Sequence, residues 1–402
     1  MAEQMKPSGI DWIGDIPNEW GITKVRFVTK LRSEQGFYNS DDKYIGLENI
    51  SSYTGEYIST ESEYDAGTYD LYKAGDLLFS KLRPYLAKAL IADDCGFCTG
   101  ELAVIKEYNG DIRYLFYYML SDGFLKMVDA STYGAKMPRA SWDYIKNLQI
   151  PVMRKSEQQT ITDFLDKECA QIDSIAADLE KQIALLQQYK KSLITETVTK
   201  GLDKSAPMKD SGVEWIGKIP EHWNVTKIKY FCRMYSGENL TFADIEPDGD
   251  YPVYGGNGKR GYYSNFTNDG EHVLIGRQGA LCGNVHLVSG KFWATDHAVV
   301  TYPTKEIINK YLYYLLQSMN LNQYSQSAAQ PGLAVNVILA LKACLPSTLK
   351  EQKTIVDFLD DKCLHVDQII LQKENQFNIL QQHKKSLIYE YVTGKKRVKE
   401  VR

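Results

Sequence analysis

Apolar residues recur at intervals of three and four along a stretch that the chain contains twice, at Ser156–Gly201 and Lys350–Lys395. In the first copy they are Ile172, Ile175, Leu179, Ile183, Leu186, Tyr189 and Leu193, and in the second Val366, Ile370, Phe377, Leu380 and Leu387. This spacing predicts an amphipathic helix. Neither copy contains an internal Pro or Gly, and Gly201 and Gly394 supply stops. The sequence therefore predicts two helices of about 65 Å each.

The two predicted helices are expected to pair, because so long an apolar stripe needs a partner along its length. Chain order makes the pair antiparallel. The residues expected to pack are Ile172, Leu179, Ile183, Leu186 and Leu193 with Val366, Ile370, Phe377, Leu380 and Leu387. The alternative is that each helix packs on its own globular block or on another protein.

A shorter repeat stands before each globular block. SGIDWIGDIPNEW begins at Ser8, and SGVEWIGKIPEHW begins 203 residues later at Ser211. Its turn-rich pattern predicts an entry into a strand with its tryptophans as buried anchors, although a docking surface is an alternative. Each block then combines alternating runs with one helical run, which indicates a mixed α/β domain.

The expected fold class is α+β, with two globular domains separated by two long antiparallel helices that form a coiled coil with a pseudo-two-fold repeat. The predicted segments are domain one (1–155), helix one (156–200), domain two (201–349), helix two (350–393) and a basic tail (394–402).

Composition narrows the class of protein. Of 402 residues, 44% are hydrophobic and 24% charged, as in soluble globular proteins, and no apolar run has a membrane span's length. The N-terminus lacks a signal-peptide core, so a cytoplasmic protein is expected. Seven cysteines suggest reduced thiols. Cys95 and Cys98 have no second Cys or His pair at zinc spacing, so no metal site is predicted.

The motifs of common catalytic sites are missing from the sequence. It has no Pro-Pro pair for an (N/D)PP(Y/F) methyltransferase loop and no GxSxG elbow. The glycine-rich run Gly255–Gly261 lacks the spacing and the hydroxyl of a phosphate loop. No catalytic residue is therefore predicted.

Basic and polar side chains in glycine-rich or proline-bounded turns are the candidates for DNA contact. They are Lys81, Arg83, Lys88, Lys136 and Arg139 in the first block, and Lys259, Arg260, Arg277, Gln278 and His297 in the second. Arg and Gln make bidentate contacts with guanine and adenine edges, and Lys suits phosphates. Each could instead be an ordinary surface residue. With a net charge of −4, any positive surface must be local or supplied by partner subunits.

Together these motifs resemble the specificity (S) subunit of type I restriction-modification systems. The resemblance rests on GxIPxxW at both heads, GDLLFSKLRPYLAK from Gly75, VLIGRQGALCGNV from Val273, FWATDHAVV, and EQxxIxxFLD at the start of each helix. It implies two target-recognition domains, each reading one half of an interrupted double-stranded DNA sequence, with the helix pair as a ruler for the spacer.

The resemblance also implies partners and cofactors. Two methyltransferase (M) subunits carrying S-adenosylmethionine would dock on the helix pair and methylate adenine, and restriction (R) subunits would add translocation and cleavage driven by ATP and Mg²⁺. This chain would then be noncatalytic and hold no cofactor. Two alternatives stay open: a self-sufficient restriction or modification enzyme, and a coiled-coil scaffold or anti-restriction decoy that binds M without specific DNA.

Overall fold

The computed structural model describes residues 4–134, 136–279, 281–325 and 332–398. The chain divides into two compact units. The first unit is Met1–Glu180 with Glu374–Arg402, and the second is Lys181–Lys373. Each unit therefore takes one end of both predicted long helices.

Short strands and helices make up the first unit. Its strands are β1 (Met5–Pro7), β2 (Asp15–Pro17), β3 (Gly21–Lys24), β4 (Thr29–Leu31), β5 (Gln35–Tyr38), β6 (Tyr44–Ile45), β7 (Gly67–Tyr72), β8 (Leu77–Ser80), β9 (Ala89–Ile91), β10 (Gly96–Cys98), β11 (Leu102–Tyr108) and β12 (Gln149–Val152). Its helices are α1 (Val25–Val28), α2 (Ile112–Leu120), α3 (Asp122–Ala130) and α4 (Trp142–Ile145), and the long α5 (Lys155–Lys200) begins in it.

Two four-stranded sheets form the body of this unit. One has the order β4-β11-β8-β9 and is antiparallel throughout, and the other has the order β5-β7-β10-β6 with β6 parallel to β10. Strand β8 is an inner strand whose four residues, LLFS, are all buried, as expected for an apolar run covered on both faces. The pairs β1-β2 and β12-β3 complete the unit.

The second unit repeats this plan. Its strands are β13 (Met208–Asp210), β14 (Lys218–Pro220), β15 (Asn224–Lys227), β16 (Cys232–Ser236), β17 (Tyr251–Gly255), β18 (Gly258–Tyr263), β19 (His272–Gly276), β20 (Val285–Val288), β21 (Trp293–Ala294), β22 (Ala298–Pro303) and β23 (Lys342–Leu345). Its helices are α6 (Asn309–Ser318) and α7 (Val335–Ala340), and the long α8 (Leu349–Val392) begins in it. The antiparallel sheet β16-β22-β19-β20 corresponds to β4-β11-β8-β9, and the smaller sheet is β18-β17-β21.

The two long helices are confirmed, and glycines end them. Gly201 and Gly394 follow α5 and α8 with φ of 70° and 72°, the left-handed conformation in which glycine closes a helix without strain.

Within each unit the helices run antiparallel, as predicted. In the first unit Lys384 Nζ lies 2.7 and 2.6 Å from the Asp173 carboxylate oxygens. In the second, Lys190 Nζ lies 2.7 and 2.6 Å from those of Asp367. Each ion pair joins α5 to α8. A second contact in each unit fixes the direction: the ring centres of Phe164 and Tyr391 lie 4.5 Å apart in the first, and the ammonium of residue 373 lies 2.5 Å from the amide oxygen of residue 182 in the second. In both units an earlier position of α5 therefore meets a later position of α8.

The apolar stripe is covered unevenly. Ile172, Leu179, Val366 and Leu387 are buried, and Ile183, Leu186, Leu193, Ile370, Phe377 and Leu380 are half-buried. Ile175 and Tyr189 were also placed on this stripe, and that was wrong, because they are 50% and 54% exposed. At 100° per residue Tyr189 lies about 100° around the helix axis from Ile172, outside the covered seam. Ala176 is buried in the first unit instead.

The repeated motifs hold each block to its helix. Trp20 Nε1 donates to Glu157 at 3.0 Å, and Trp223 Nε1 donates to Glu351 at 2.9 Å. Both indoles are buried, as predicted, whereas the indoles at positions 12 and 215 are only half-buried. The tyrosine hydroxyls at 117 and 314 donate to the last aspartate of each EQxxIxxFLD motif at 2.7 and 2.8 Å. The shared residues therefore build the scaffold.

Candidate nucleic-acid interface

Two loops of the first unit meet at the end of β8. The amide of Arg83 donates to the Pro138 carbonyl at 2.7 Å, and the amide of Ala140 donates to the Lys81 carbonyl at 2.8 Å. These backbone bonds bring together side chains that lie far apart in the sequence. We call this group the first basic surface; it consists of Lys81, Arg83, Lys136 and Arg139.

Arg83 has the least usual backbone of this surface. Its φ of 49° and ψ of 63° are left-handed, although it is not glycine and Pro84 follows it. Such a conformation costs about 1–3 kcal/mol and persists where the surrounding structure enforces it, often at functional sites. Its Nε is buried without a hydrogen-bond partner among the residues that the structure describes. A strained arginine with an unused donor is a candidate for binding a ligand.

The other predicted residues of this unit differ in what they can offer. Lys136 is exposed, and Arg139 is exposed but forms an ion pair with Glu101. Lys88 does not join the first basic surface, because its ammonium donates to the Leu47 carbonyl at 2.6 Å. Burial of this ammonium lowers the pKa of Lys88. Lys88 therefore supports the fold locally, and its role as a DNA contact stays a prediction.

Sequence reasoning missed two aromatic residues beside this surface. Tyr85 is 50% exposed in the loop after Arg83, and Tyr133 is 62% exposed and exchanges backbone hydrogen bonds with Arg139. The signal was available, because both lie in the proline-bounded or glycine-containing turns that supplied the basic candidates. Exposed rings among cations are suited to contact sugars and bases.

Three loops of the second unit meet at the end of β19. The amide of Arg277 donates to the His297 carbonyl at 3.0 Å. A Cβ on Gly276 would lie 1.9 Å from the Gly256 carbonyl oxygen, and one on Gly256 would lie 3.3 Å from the Gln278 carbonyl oxygen. Glycine is required at 276 because the two backbones touch there. The second basic surface consists of Lys259, Arg260, Arg277, Gln278 and His297.

Within this second basic surface, Lys259, Arg260 and Gln278 are exposed, and Arg277 and His297 are half-buried. Arg277 Nη1 donates to the Ser236 hydroxyl at 2.7 Å. Its Nε, like that of the first-unit arginine, is buried without a partner in the described structure.

His286 was not predicted from the sequence. Its Nε2 is buried with no hydrogen-bond partner in the described part of the chain, and burial lowers the pKa of His286. The neutral ring lies beside the glycine loop, 3.4 Å from where a Cβ on Gly258 would stand. A lone His on a strand carries no pattern that could have identified it.

The two basic surfaces occupy the same place in the fold. Strands β8 and β19 are each the third strand of the equivalent antiparallel sheets. The first residue after each strand is a cation, Lys81 or Arg277. Their amides donate to the carbonyls of residues 101 and 297 at 2.9 and 3.0 Å, and their carbonyls accept from the amides of residues 140 and 333 at 2.8 and 2.9 Å. The neighbouring side chains differ between the units. The arrangement therefore places one cation, Lys81 or Arg277, at a common position within two different surroundings, and Arg83 lies two residues farther along its loop.

Other kinds of site find little support in the described residues. Residues 4–134, 136–279, 281–325 and 332–398 contain no group of three or more His, Cys, Asp or Glu placed to hold a metal ion. In the same ranges, no helix has both the length and the apolar character needed to cross a membrane.

Comparison with known proteins assigns the chain to a family. The family described as "Type I restriction modification DNA specificity domain" matches residues 13–185 and 220–390. The specificity subunit of the type I restriction enzyme EcoprrI from Escherichia coli is 46% identical over 132 residues, 32% of this chain and 33% of that protein. That of MjaVIII from Methanocaldococcus jannaschii is 26% identical over 72% of both chains.

A relative matched over more of the chain and a solved structure agree with this family assignment. The putative MjaX specificity subunit from Methanocaldococcus jannaschii is 25% identical over 96% of both chains. A chain solved in a study of complex assembly and conformational transition of the type I R-M system has a TM-score of 0.65 at 16% identity. It covers 94% of this chain and 98% of its own length, which shows that the fold is shared.

Proposed function

Because this chain belongs to the family of type I restriction modification DNA specificity domains, we propose that its two target-recognition domains each read one half of a bipartite DNA sequence. The observation that carries the proposal is the pair of equivalent cations Lys81 and Arg277. Both follow equivalent strands, and each has different neighbours. A shared docking position with different surroundings suits two domains that approach DNA alike and read different bases.

The roles of individual residues follow from their chemistry. Arg83, Arg277 and Gln278 are proposed to contact base edges, and the exposed lysines at 136 and 259 to contact phosphates. Lys81, Arg139, Arg260 and His297 complete the two contact surfaces. The functional segments are proposed to be 1–155 and 201–349 for recognition, 156–200 and 350–393 for spacing and docking, and 394–402 as a basic tail.

Partners supply the chemistry in this proposal. Two methyltransferase subunits carrying S-adenosylmethionine dock on the helix pair and methylate adenine within each half-site. Restriction subunits that use ATP and Mg²⁺ complete the nuclease. The complex works in the cytoplasm. Since adenine must leave the base stack to be methylated, this chain's task is to hold the methyltransferase over a chosen base.

Methylation-site mapping of genomic DNA tests the proposal. Cells that carry this chain with its cognate methyltransferase should show a bipartite motif with adenine methylation on both strands, and deletion of this gene should remove it. An active methyltransferase in a folded complex without any motif would contradict the proposal and favour a scaffold or decoy.

Substitutions then assign the half-sites. Arg83→Ala should weaken recognition of one half-site and Arg277→Ala that of the other, each by about 1–3 kcal/mol, or roughly 5- to 150-fold in affinity. Arg154→Ala and Arg233→Ala, at exposed arginines outside both basic surfaces, are the matched controls. Equal loss at both half-sites from either variant would refute the assignment of one half-site to each unit.

A further inference from the structure

An exposed aromatic ring with a cation stacked on it recurs in both units at the same position of the sequence repeat. Phe27 is 67% exposed and Tyr230 is 68% exposed. The Arg26 guanidinium carbon lies 4.7 Å from the Phe27 ring centre, and the Lys229 ammonium lies 5.0 Å from that of Tyr230. The two rings are 203 residues apart, the offset of the head motif. We call these two groups the aromatic–cation patches.

Both patches are held rigidly by their scaffold. Val25 and Ile228, two residues before each ring, are fully buried. The amide of Val25 donates to the Leu148 carbonyl at 2.9 Å, and the amide of Ile228 donates to that of Leu341 at 3.0 Å. Because the chain is anchored at these points, the residues that follow are held at the surface. Leaving a large ring exposed there contributes little to folding.

Strand register separates each patch from the basic surface of its unit. Strand β11 pairs with β8 at Leu102, next to the first basic surface, and its other end, Tyr108, pairs with Thr29 beside Phe27. That strand spans roughly 20 Å at 3.3 Å per residue. Strand β22 likewise runs from its pairing with Gly276 to its pairing with Cys232, near Tyr230. The patches therefore lie at the opposite end of each sheet from the proposed DNA contacts.

Each patch also borders an open cleft. The cleft beside Phe27 has a volume of about 800 Å³ and includes Lys106 and Lys155. The cleft beside Tyr230 has a volume of about 510 Å³ and includes Glu306. The clefts differ in charge, so the feature that the two units share is the ring with its cation.

We propose that each aromatic–cation patch extends the docking surface of the helix pair and binds one copy of the same protein subunit, so that the two patches hold the two copies. This inference rests on the proposed function, under which that subunit is the methyltransferase. Surfaces that read different DNA halves differ between the units, whereas a surface for one repeated partner should be alike in both. Aromatic residues and arginine are the side chains most enriched where protein interfaces hold most of their binding energy.

The complementary surface on the partner follows from the chemistry of the patch. It should offer an apolar pocket for the ring and a carboxylate near the cation. Removing a central aromatic anchor typically weakens an interface by about thirty-fold or more. Each patch serves one subunit, so loss of one patch should leave the other subunit bound.

The test is the stoichiometry of the complex of full-length chain and methyltransferase, measured by native mass spectrometry across a dilution series. Phe27→Ser or Tyr230→Ser should each lower the affinity for one of the two bound methyltransferases about thirty-fold. Each variant should then form a 1:1 complex at concentrations at which the unaltered chain still forms a 1:2 complex. The double variant should lose both. Phe37→Ser and Phe242→Ser, at rings that are 63% and 83% exposed, should remain 1:2.

Conservative variants guard against misfolding. Phe27→Tyr and Tyr230→Phe keep a ring and should restore the 1:2 complex. Retention of two subunits at unaltered affinity by both serine variants would overturn the proposal. The proposal would also be overturned if the serine variants kept the 1:2 stoichiometry but bound DNA more weakly in a salt-dependent way, because the patches would then be phosphate contacts. Failure of the unaltered chain to bind any methyltransferase would instead refute the proposed function.

Discussion

The ion pairs between the long helices offer a controlled test of what burial does to a charge. Lys384 with Asp173 and Lys190 with Asp367 occupy equivalent places in the repeat and have nearly identical geometry. They differ in exposure, because the side chains of Lys384 and Asp173 are 4% and 25% exposed, and those of Lys190 and Asp367 are 29% and 52% exposed. The chain thus contains the experiment and its control.

Replacing the lysine with methionine keeps most of the side-chain length and removes the charge. At 2.6 Å and an effective dielectric constant of about 20, the direct attraction is about 6 kcal/mol, most of it offset by desolvation. Lys384→Met leaves Asp173 with little water and no cation, so we expect a loss of about 2–4 kcal/mol. Lys190→Met should cost about 0–1 kcal/mol, since water can replace the lysine beside the exposed Asp367.

Hydrogen exchange of the native complex is the suitable assay, because it reports the free energy of local opening and does not require the two units to unfold together. Amides of α5 and α8 near each pair should lose protection by the amounts given. Asp173→Leu combined with Lys384→Met should recover most of the loss, since no unpaired buried charge remains. Equal costs for the two lysine variants, or a cost below about 1 kcal/mol for Lys384→Met, would refute this reasoning.

Three further outcomes are expected. Burial opposes ionisation of Asp111, but hydrogen bonds from the side chain and amide of Arg113 hold the pKa of Asp111 below the ordinary 3.8. The ionised carboxylate therefore stabilises the fold above about pH 4, and this stabilisation is lost as the pH falls. Arg113→Met should move the midpoint of acid unfolding, followed by circular dichroism, to higher pH. Cys95 is exposed and the six other cysteines are buried, so one thiol should react rapidly with a thiol reagent, and none after Cys95→Ser. Gly123→Ala should lower the melting temperature, because its Cβ would lie 2.0 Å from the indole of Trp12 and force repacking worth about 1–3 kcal/mol.

Periodicity and internal repetition were enough to predict the parts of the fold that are duplicated. The stripe and its closing glycines identified the two helices, and the repeated head motif identified Trp20 and Trp223 as anchors. Periodicity could not decide which helix face is covered, because the seam depends on the partner helix. Ala176 is buried for that reason although alanine adds little to an apolar pattern.

The candidate site was less accessible to sequence reasoning. Arg83 and Arg139 are neighbours only because backbone hydrogen bonds join two loops, and no local pattern encodes that bond. Lys88 resembles the other basic candidates in the sequence, yet its ammonium donates a hydrogen bond to the Leu47 carbonyl. The aromatic–cation patches left a readable signal, because Arg26 and Phe27 align with a second cation and ring in the repeat.

The division of the long helices between the units has a consequence for biosynthesis. The first unit, which a ribosome makes first, takes the last turns of α8 into its core, and the Tyr114 hydroxyl donates to the Val392 carbonyl across 278 residues. Contacts so distant in sequence form late. The core of the N-terminal unit therefore stays incomplete until the whole second unit and α8 have been translated. Synthesis rate and chaperone protection during that interval should decide how much of the chain reaches its folded state.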